Sequence, residues 1–166
     1  DAAGIFSDLS ALAGPTQMED LYLYLDGIAD LSGLSGMSQL KSLVLTGNMD
    51  ITDLSPLAGL TELRELDLTY GGYSSSDSQE YDSLVPLASL SNLTSLTIRN
   101  LKISDLSPLA GLSKLRSLTI HNGASIQDLS PLAGLPNLKS LTISGARHGL
   151  DTSALTQVSN ISIESR

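Results

Sequence analysis

The chain has 166 residues and 41% of them are hydrophobic, which is enough to form the core of a single domain. Its formal net charge of −9 argues against duplex DNA or an anionic membrane as the main partner, because neither would meet a broad basic surface. The absence of cysteine excludes disulfides, thiolate metal sites and thiol nucleophiles. No run of about 18 apolar residues predicts a membrane-spanning helix, and the N-terminus lacks the pattern of a signal peptide.

The charge is unevenly distributed along the chain. Residues 1–82 hold 14 acidic residues against Lys41 and Arg64, whereas residues 83–166 hold 4 acidic residues against 7 basic ones. All five tyrosines lie at or before residue 81. The N-terminal half is therefore acidic and aromatic, and the C-terminal half is mildly basic and rich in serine and threonine.

One segment recurs along the chain. Residues 51–68 read ITDLSPLAGLTELRELDL, and similar segments begin near residues 6, 28, 81, 103 and 126. The starts at 6, 28, 51, 81, 103 and 126 are 22, 23, 30, 22 and 23 residues apart, and the step of 30 contains an insertion. The pattern predicts one domain over residues 1–166, with six full repeats and a truncated repeat over 150–166.

The second half of each repeat predicts a short strand. Leu66 and Leu68 are two residues apart, so both side chains lie on the same face of an extended segment. Equivalent pairs recur in the other full repeats: Leu21/Leu23, Leu43/Leu45, Leu96/Ile98, Leu118/Ile120 and Leu141/Ile143. Stacked at about 4.8 Å, these strands would form a parallel sheet with a ladder of leucine and isoleucine on its inner face.

The first half of each repeat predicts a helix of one or two turns. Ser55 is a favourable N-cap and Pro56 fits the first helical position. Gly59 follows the last helical residue, where we expect a left-handed backbone, and Gly111 and Gly134 stand at equivalent positions. These serine, proline and glycine residues are therefore interpreted as structural.

Residues 71–80 interrupt the regular register with a loop insertion. Insertions in repeat proteins often lie on the binding face, which makes Tyr73 a candidate contact. The alternative is a flexible Gly/Ser loop that is tolerated because closing a longer loop costs little. The acidic run from Ser76 to Asp82 lacks the alternating ligands and central glycine of a calcium-binding loop.

The pattern Leu-x-x-Leu-x-x-Leu-x-Leu followed by Ile-x-Asp-Leu-Ser-Pro-Leu-Ala-Gly-Leu resembles the 22-residue repeats of bacterial internalin-like proteins. The resemblance implies an α/β repeat solenoid: a right-handed leucine-rich-repeat superhelix with a concave parallel sheet and short helices or 3-10 turns on the convex side. Intracellular phosphatase-regulating proteins share the same repeat length. The chain departs from the family because the asparagine that usually follows the strand is kept only at Asn48.

Side chains that alternate with the strand leucines should point away from the core onto the concave face. The larger and charged ones gather in repeats one, three, four and five, and tyrosine and arginine are enriched in binding hot spots. The alternative is that tyrosine and threonine are simply good strand formers on a solvated sheet. The predicted partner-binding residues are Tyr22, Tyr24, Glu65, Asp67, Tyr70, Tyr73, Arg99 and His121.

The sequence favours a binding protein over an enzyme. His121 and His148 are its two histidines, no motif places either beside a nucleophile and an orienting acid, and no catalytic residue, metal site or cofactor is predicted. We expect a protein ligand with a basic or mixed surface, with no nucleic acid and no membrane insertion. The resemblance implies a host or cell-surface protein as ligand and an extracellular or bacterial cell-surface location. A structural spacer that presents other domains and a cytoplasmic scaffold are the rival hypotheses.

Overall fold

A single parallel sheet runs through the molecule. The computed structural model describes residues 2–6, 8–13, 17–49, 51–70 and 83–165. Within these residues, eight strands lie side by side in chain order, and each pair of neighbours is parallel. The strands are β1 (Ala2–Phe6), β2 (Asp20–Ile28), β3 (Ser42–Met49), β4 (Glu65–Tyr70), β5 (Ser95–Arg99), β6 (Ser117–His121), β7 (Ser140–Ala146) and β8 (Asn160–Ser165). This order, with one strand per repeat, confirms the predicted leucine-rich-repeat solenoid.

The inner face of the sheet forms a continuous core with the leucines of the turns. The predicted strand pairs are buried from Leu21/Leu23 to Leu141/Ile143. In the third repeat, the turn leucines Leu57, Leu60 and Leu63 are completely buried against them, and the other repeats follow the same pattern. Burial of one such side chain contributes about 1.5–3 kcal/mol, so the stack of repeats, and not any single repeat, stabilises the fold.

The connections opposite the sheet are 3-10 turns. In the described residues they span Ser10–Leu12, Ser32–Leu34, Ser55–Leu57, Val85–Ser89, Ser107–Leu109, Gly123–Ser125 and Ser130–Leu132. Most of these turns contain three residues, because the chain returns to the core after one turn. In the third repeat, Leu54 precedes the turn and Leu57 ends it, and both side chains are buried. The sequence pattern also allowed a two-turn helix, and the structure forms the shorter alternative.

The capping assignment from the sequence was wrong. Ser55 is the first residue of its turn and not its cap, and the residue before it, Leu54, makes no side-chain capping bond. The carboxylate of Asp53 takes this role: Oδ1 accepts a hydrogen bond from the Ser55 amide at 2.7 Å, and Oδ2 accepts one from Ser55 Oγ at 2.7 Å. The same Asp-x-Ser contact to the serine amide recurs at Asp8, Asp30, Asp105, Asp128 and Asp151.

The left-handed backbone expected at Gly59, Gly111 and Gly134 is also absent, because the described glycines with a positive φ are Gly27, Gly47, Gly145 and Gly149. The residue that follows the third-repeat turn, Ala58, keeps right-handed helical angles, so the chain leaves the turn without needing glycine. Gly47 is different: its φ is +122°, and a Cβ there would overlap the carbonyl oxygen of Leu25.

Most repeats lack the asparagine that usually follows the strand, and other residues with a left-handed backbone lie near the strand ends. Asn100 and Asn122 have φ of 60° and 70°, and Gly145, in the next repeat, has φ of 67°. The left-handed region is accessible to asparagine and glycine, so the two asparagines turn the chain after β5 and β6, whereas Gly145 lies inside β7 at the register shift between Ser144 and Ala146. The next residue along the chain is Leu101, Gly123 or Ala146, and each of these is buried. The Asn100 amide donates a hydrogen bond to the His121 carbonyl at 3.3 Å.

The two ends of the sheet differ from its middle. The sequence pattern did not indicate β1, whose register places Ala2 and Gly4, and not leucines, opposite Leu21 and Leu23. At the other end, Ile161 in β8 is opposite the buried Leu141 but remains 37% exposed. Within the described ranges, no helix is long and apolar enough to cross a membrane.

Candidate functional site

The outer side of the sheet, called the open face below, carries three rows of side chains. Strand register aligns the position before the first strand leucine, the position between the two leucines and the position after the second one. The middle row is Tyr22, Val44, Asp67, Thr97, Thr119, Thr142 and Ser162, and the last row is Tyr24, Thr46, Thr69, Arg99, His121, Ser144 and Glu164. The rows inferred from the sequence therefore coincide with those in the structure.

Two tyrosines dominate the N-terminal part of the open face. Tyr22 is 45% exposed and Tyr24 is 43% exposed, whereas the core leucines between and beside them in β2 are buried. They lie opposite Val44 and Thr46 of β3, whose side chains are smaller and partly buried. The tyrosine rings consequently have only smaller side chains beside them on β3 and remain exposed.

Two acidic residues of the open face lie two positions apart on β4. Glu65 is exposed, and Asp67 is partly buried. Thr69 Oγ1 donates a hydrogen bond to Asp67 Oδ1 at 2.5 Å, which holds the Asp67 carboxylate against the sheet.

Arg99 and His121 are neighbours in the register of β5 and β6. The Arg99 side chain is exposed, and His121 is partly buried. His121 Nδ1 and Ser144 Oγ are 2.7 Å apart, so the imidazole is anchored on β7. Burial is the main cause that lowers the pKa of His121 from its usual value, and the charge of Arg99 adds to it, while Glu164 and Asp67 act in the opposite direction.

The predicted site residues form a strip and not a pocket. Tyr22 and Tyr24 lie on β2, the acids on β4, and Arg99 and His121 on β5 and β6, so the strip crosses four strand steps, roughly 19 Å. Tyr70 ends β4, but its side chain lies outside the described part of the chain, as does the whole of Tyr73 with the insertion at 71–80.

The sequence prediction left out two residues that the geometry connects to the strip. Ser144 anchors His121, and Glu164 influences the pKa of His121. Both occupy the same row as His121, so the repeat alignment contained their positions. Their importance was not visible because it depends on contacts between residues more than 20 positions apart. Among the described residues, no group of three or more potential metal ligands is brought together.

Comparison with known proteins gives one family match and several structural relatives. The model of the R13L1/DRL21 LRRs family, where LRR denotes leucine-rich repeat, matches residues 25–146. No curated protein sequence gives a significant match.

Three of the solved structures that resemble this chain are internalins of Listeria monocytogenes. Internalin C2 is 33% identical with a TM-score of 0.76, and the match covers 94% of this chain and 66% of the internalin chain. Internalin F is 32% identical with a TM-score of 0.63, and the match covers 95% and 51%. The functional domain of internalin J, described as including a cysteine ladder, is 20% identical with a TM-score of 0.54, covers 88% and 36%, and supports the fold alone. The chain thus spans about two thirds of internalin C2 and half of internalin F.

Proposed function

Because the chain belongs to the leucine-rich-repeat family of the R13L1/DRL21 type, we propose that it is a protein-binding module that uses its open face and forms part of a bacterial surface protein. Its likeness to internalins supports this proposal. The open strip without a pocket also favours a large partner over a small substrate, since small-molecule sites are concave and enclose their ligand. The proposed location is extracellular or at the cell surface, and the proposed module is not an enzyme.

The tyrosine pair is the observation that carries this function. Tyr22 and Tyr24 are large amphipathic side chains, and both are more than two fifths exposed on a regular sheet. Tyrosine is enriched in binding hot spots because it buries a large area and still offers a hydrogen bond. We therefore propose that these two rings are the anchors of the partner.

The charges of the open face specify the partner further. Glu65 and Asp67 would face basic groups, while Arg99, one strand beyond Asp67, would face an acidic group. A partner of mixed charge fits this order, with its basic part directed toward the N-terminal half. Attraction of this kind accelerates association at low salt and is screened over about 8 Å at physiological ionic strength.

Two double variants test the proposal once a partner has been isolated. We expect Tyr22→Ala with Tyr24→Ala to weaken binding by at least about 2 kcal/mol, as hot-spot truncation does. The control, Thr119→Ala with Thr142→Ala, changes two residues of the middle row, which also contains Tyr22, on β6 and β7 and should have little effect. Titration calorimetry measures both affinities, and the association rate should fall as salt rises.

The ranking of the two variants decides between the hypotheses. A larger loss for the threonine pair would move the site to the C-terminal half. If neither pair changed the affinity, the open face would not be the binding surface, and a structural spacer or a site in the insertion would take its place.

A further inference from the structure

A second charged surface lies where the strands begin. The residues two positions before the first strand leucine form a row that includes Glu19, Lys41, Arg64, Thr94, Arg116 and Lys139. Backbone hydrogen bonds fix this alignment: each amide from Lys41 to Lys139 donates to the carbonyl of the preceding row member, at 2.6–2.9 Å. Neighbouring side chains of the row therefore start about one strand spacing, 4.8 Å, apart.

This edge changes sign along the solenoid. Beside β2 to β4, Lys41 and Arg64 are outnumbered by the acids Glu19, Asp20, Glu62 and Glu65. Lys41 Nζ forms an ion pair with Glu19 Oε1 at 2.5 Å. From β5 to β8, the segments that lead into the strands, 91–95, 113–117, 136–140 and 156–160, contain no acid. They contain Lys114, Arg116 and Lys139, which are called the basic edge below.

Neutral groups hold two of the three cations of the basic edge. Lys114 Nζ donates to Asn92 Oδ1 at 2.6 Å, and Lys139 Nζ donates to the Gln157 carbonyl at 3.3 Å, so both ammonium groups have neutral partners. Arg116 is exposed. Within the described residues, none of the three forms an ion pair. Neutral partners leave the charge of these exposed cations uncompensated. Several of them can therefore contact one anionic ligand together.

Three side-chain amides belong to the same segments as the cations or to their neighbours. Asn137 Nδ2 donates to the Ser113 carbonyl at 2.8 Å, Asn92 Nδ2 to the Thr61 carbonyl at 2.9 Å, and Gln157 Nε2 to the Leu132 carbonyl at 3.0 Å. One N–H of each amide is thus bonded to the backbone, while Asn137 Oδ1 and Gln157 Oε1 accept no hydrogen bond from the described residues, which leaves them as acceptors for hydroxyl groups. Such a surface combines cations for acidic substituents with acceptors for the hydroxyls of a sugar.

We propose that the basic edge binds a linear sulfated polysaccharide along the row from β6 to β7. The exposed row has no enclosing walls, so it favours a chain that makes several weak contacts over a single small anion. Nucleic acid is disfavoured because the segments 91–95, 113–117, 136–140 and 156–160 contain no aromatic residue for base stacking. An acidic protein is disfavoured because the edge has no large exposed apolar side chain to anchor an interface.

The test uses the full chain and heparin as the probe, at neutral pH and low salt. The variant Lys114→Gln, Arg116→Gln, Lys139→Gln removes the basic edge. The control Lys41→Gln, Arg64→Gln, Arg147→Gln removes three positive charges elsewhere from the same chain. We expect the first variant to lose at least about tenfold in affinity, with a shallower salt dependence, because fewer counterions are released from the polymer. The control should stay close to the wild type, and circular dichroism checks that all three proteins are folded.

Each outcome bears on the proposal. Equal losses in the two variants would show that binding follows overall charge, and failure of the wild-type chain to bind heparin would overturn the site. Polyglutamate, single-stranded DNA and vesicles containing anionic lipid serve as competing probes. Equal or tighter binding of any of these at the basic edge would overturn the assignment to a sulfated polysaccharide, whereas a clear preference for heparin supports it.

Discussion

His121 shows how the open face adjusts the chemistry of one residue. Its imidazole is anchored to Ser144 Oγ, partly buried, and flanked by the Arg99 cation in the register of β5. Burial and Arg99 both favour the neutral form, so the pKa of His121 lies below its ordinary value of about 6.5. The residue is therefore neutral at physiological pH, and Arg99 carries the positive charge of this part of the open face.

Removing the charged neighbours of His121 should move its pKa in opposite directions. Arg99→Gln removes a cation that disfavours protonation, so the pKa of His121 should rise. Glu164→Gln removes an anion that favours protonation, so the pKa should fall. The chemical shift of the imidazole Cε1 proton, followed by NMR against pH, measures both changes. Lys114→Gln is a control at the strand-start edge, and a shift as large as that of Arg99→Gln would refute a local effect of Arg99.

Two glycines illustrate why their positions must be known in three dimensions. Gly47→Ala should be destabilising, because it combines a φ of +122° with an overlap against the Leu25 carbonyl, and strain of the backbone alone costs about 1–3 kcal/mol. Gly111→Ala has no neighbour within 4 Å and an ordinary φ, so it should be neutral or stabilise by about 0.4–1 kcal/mol. Urea denaturation compares the two variants, and a stability loss in Gly111→Ala equal to that in Gly47→Ala would contradict this assignment.

At the scale of the element, most turns are held by an aspartate and a serine two residues later, whereas at the turn Val85–Ser89 the Val85 amide donates to Ser83 Oγ. Asp8, Asp53, Asp105, Asp128 and Asp151 have lowered pKa values, because their carboxylates accept hydrogen bonds from the backbone and side chain of that serine. A carboxyl group with a lower pKa in the folded state stabilises the fold above its unfolded pKa of about 3.9. That contribution disappears as the pH falls through the folded-state pKa, so acid should weaken all of these turns.

The variant Asp53→Asn, Asp105→Asn, Asp128→Asn should reduce this response to acid. Asparagine keeps an oxygen that can accept the serine amide bond, but it does not titrate. We therefore expect a lower melting temperature than the wild type at neutral pH and a smaller further decrease between neutral pH and a pH below the aspartate pKa. Thermal unfolding followed by circular dichroism measures the melting temperature of both proteins as a function of pH. An equal decrease of the melting temperature in the two proteins as the pH falls would show that these three aspartates do not contribute to acid sensitivity.

The turns also mark where sequence reasoning reached its limit. The strand pairs and the three rows of the open face follow from a repeat length of 22–23 residues and an alternation of two, so they could be predicted without coordinates. Ser55 before Pro56 looked like the cap of a helix. The three-residue turn instead begins at Ser55 itself, one position earlier than predicted, and Leu54 occupies the cap position. The regular Asp-x-Ser spacing contained the correct answer, because such side chains commonly bond to a backbone amide two residues later.

The candidate site divides in the same way. Exposure of Tyr22 and Tyr24 could be predicted, because alternation places them opposite the core leucines of β2. The contact between His121 and Ser144 depends on rotamers of residues 23 positions apart, which a pattern of residue types does not determine. The opposite signs of the two parts of the strand-start edge became clear only when the rows were aligned by their backbone hydrogen bonds.

At the scale of the whole molecule, stability depends on how many neighbours each repeat has. A central strand such as β6 is covered by a strand on both sides, and each repeat buries the apolar face of the next. β8 pairs with β7 and has no further strand beyond it among the described residues. Equivalent core positions should therefore contribute unequally, with the largest contributions in the middle of the solenoid.

Leu118 and Ile161 test this gradient. Leu118 is completely buried in β6, so Leu118→Ala removes well-packed methyl groups, leaves a cavity and should cost about 2–5 kcal/mol. Ile161 occupies the same row in β8 but is 37% exposed, so Ile161→Ala should cost less, roughly 1 kcal/mol, because less apolar area leaves the core. Urea denaturation followed by circular dichroism gives both free energies of unfolding. An unchanged midpoint for Leu118→Ala would contradict the repeat core itself, whereas equal losses at the two positions would mean that the terminal strand is as well packed as the centre.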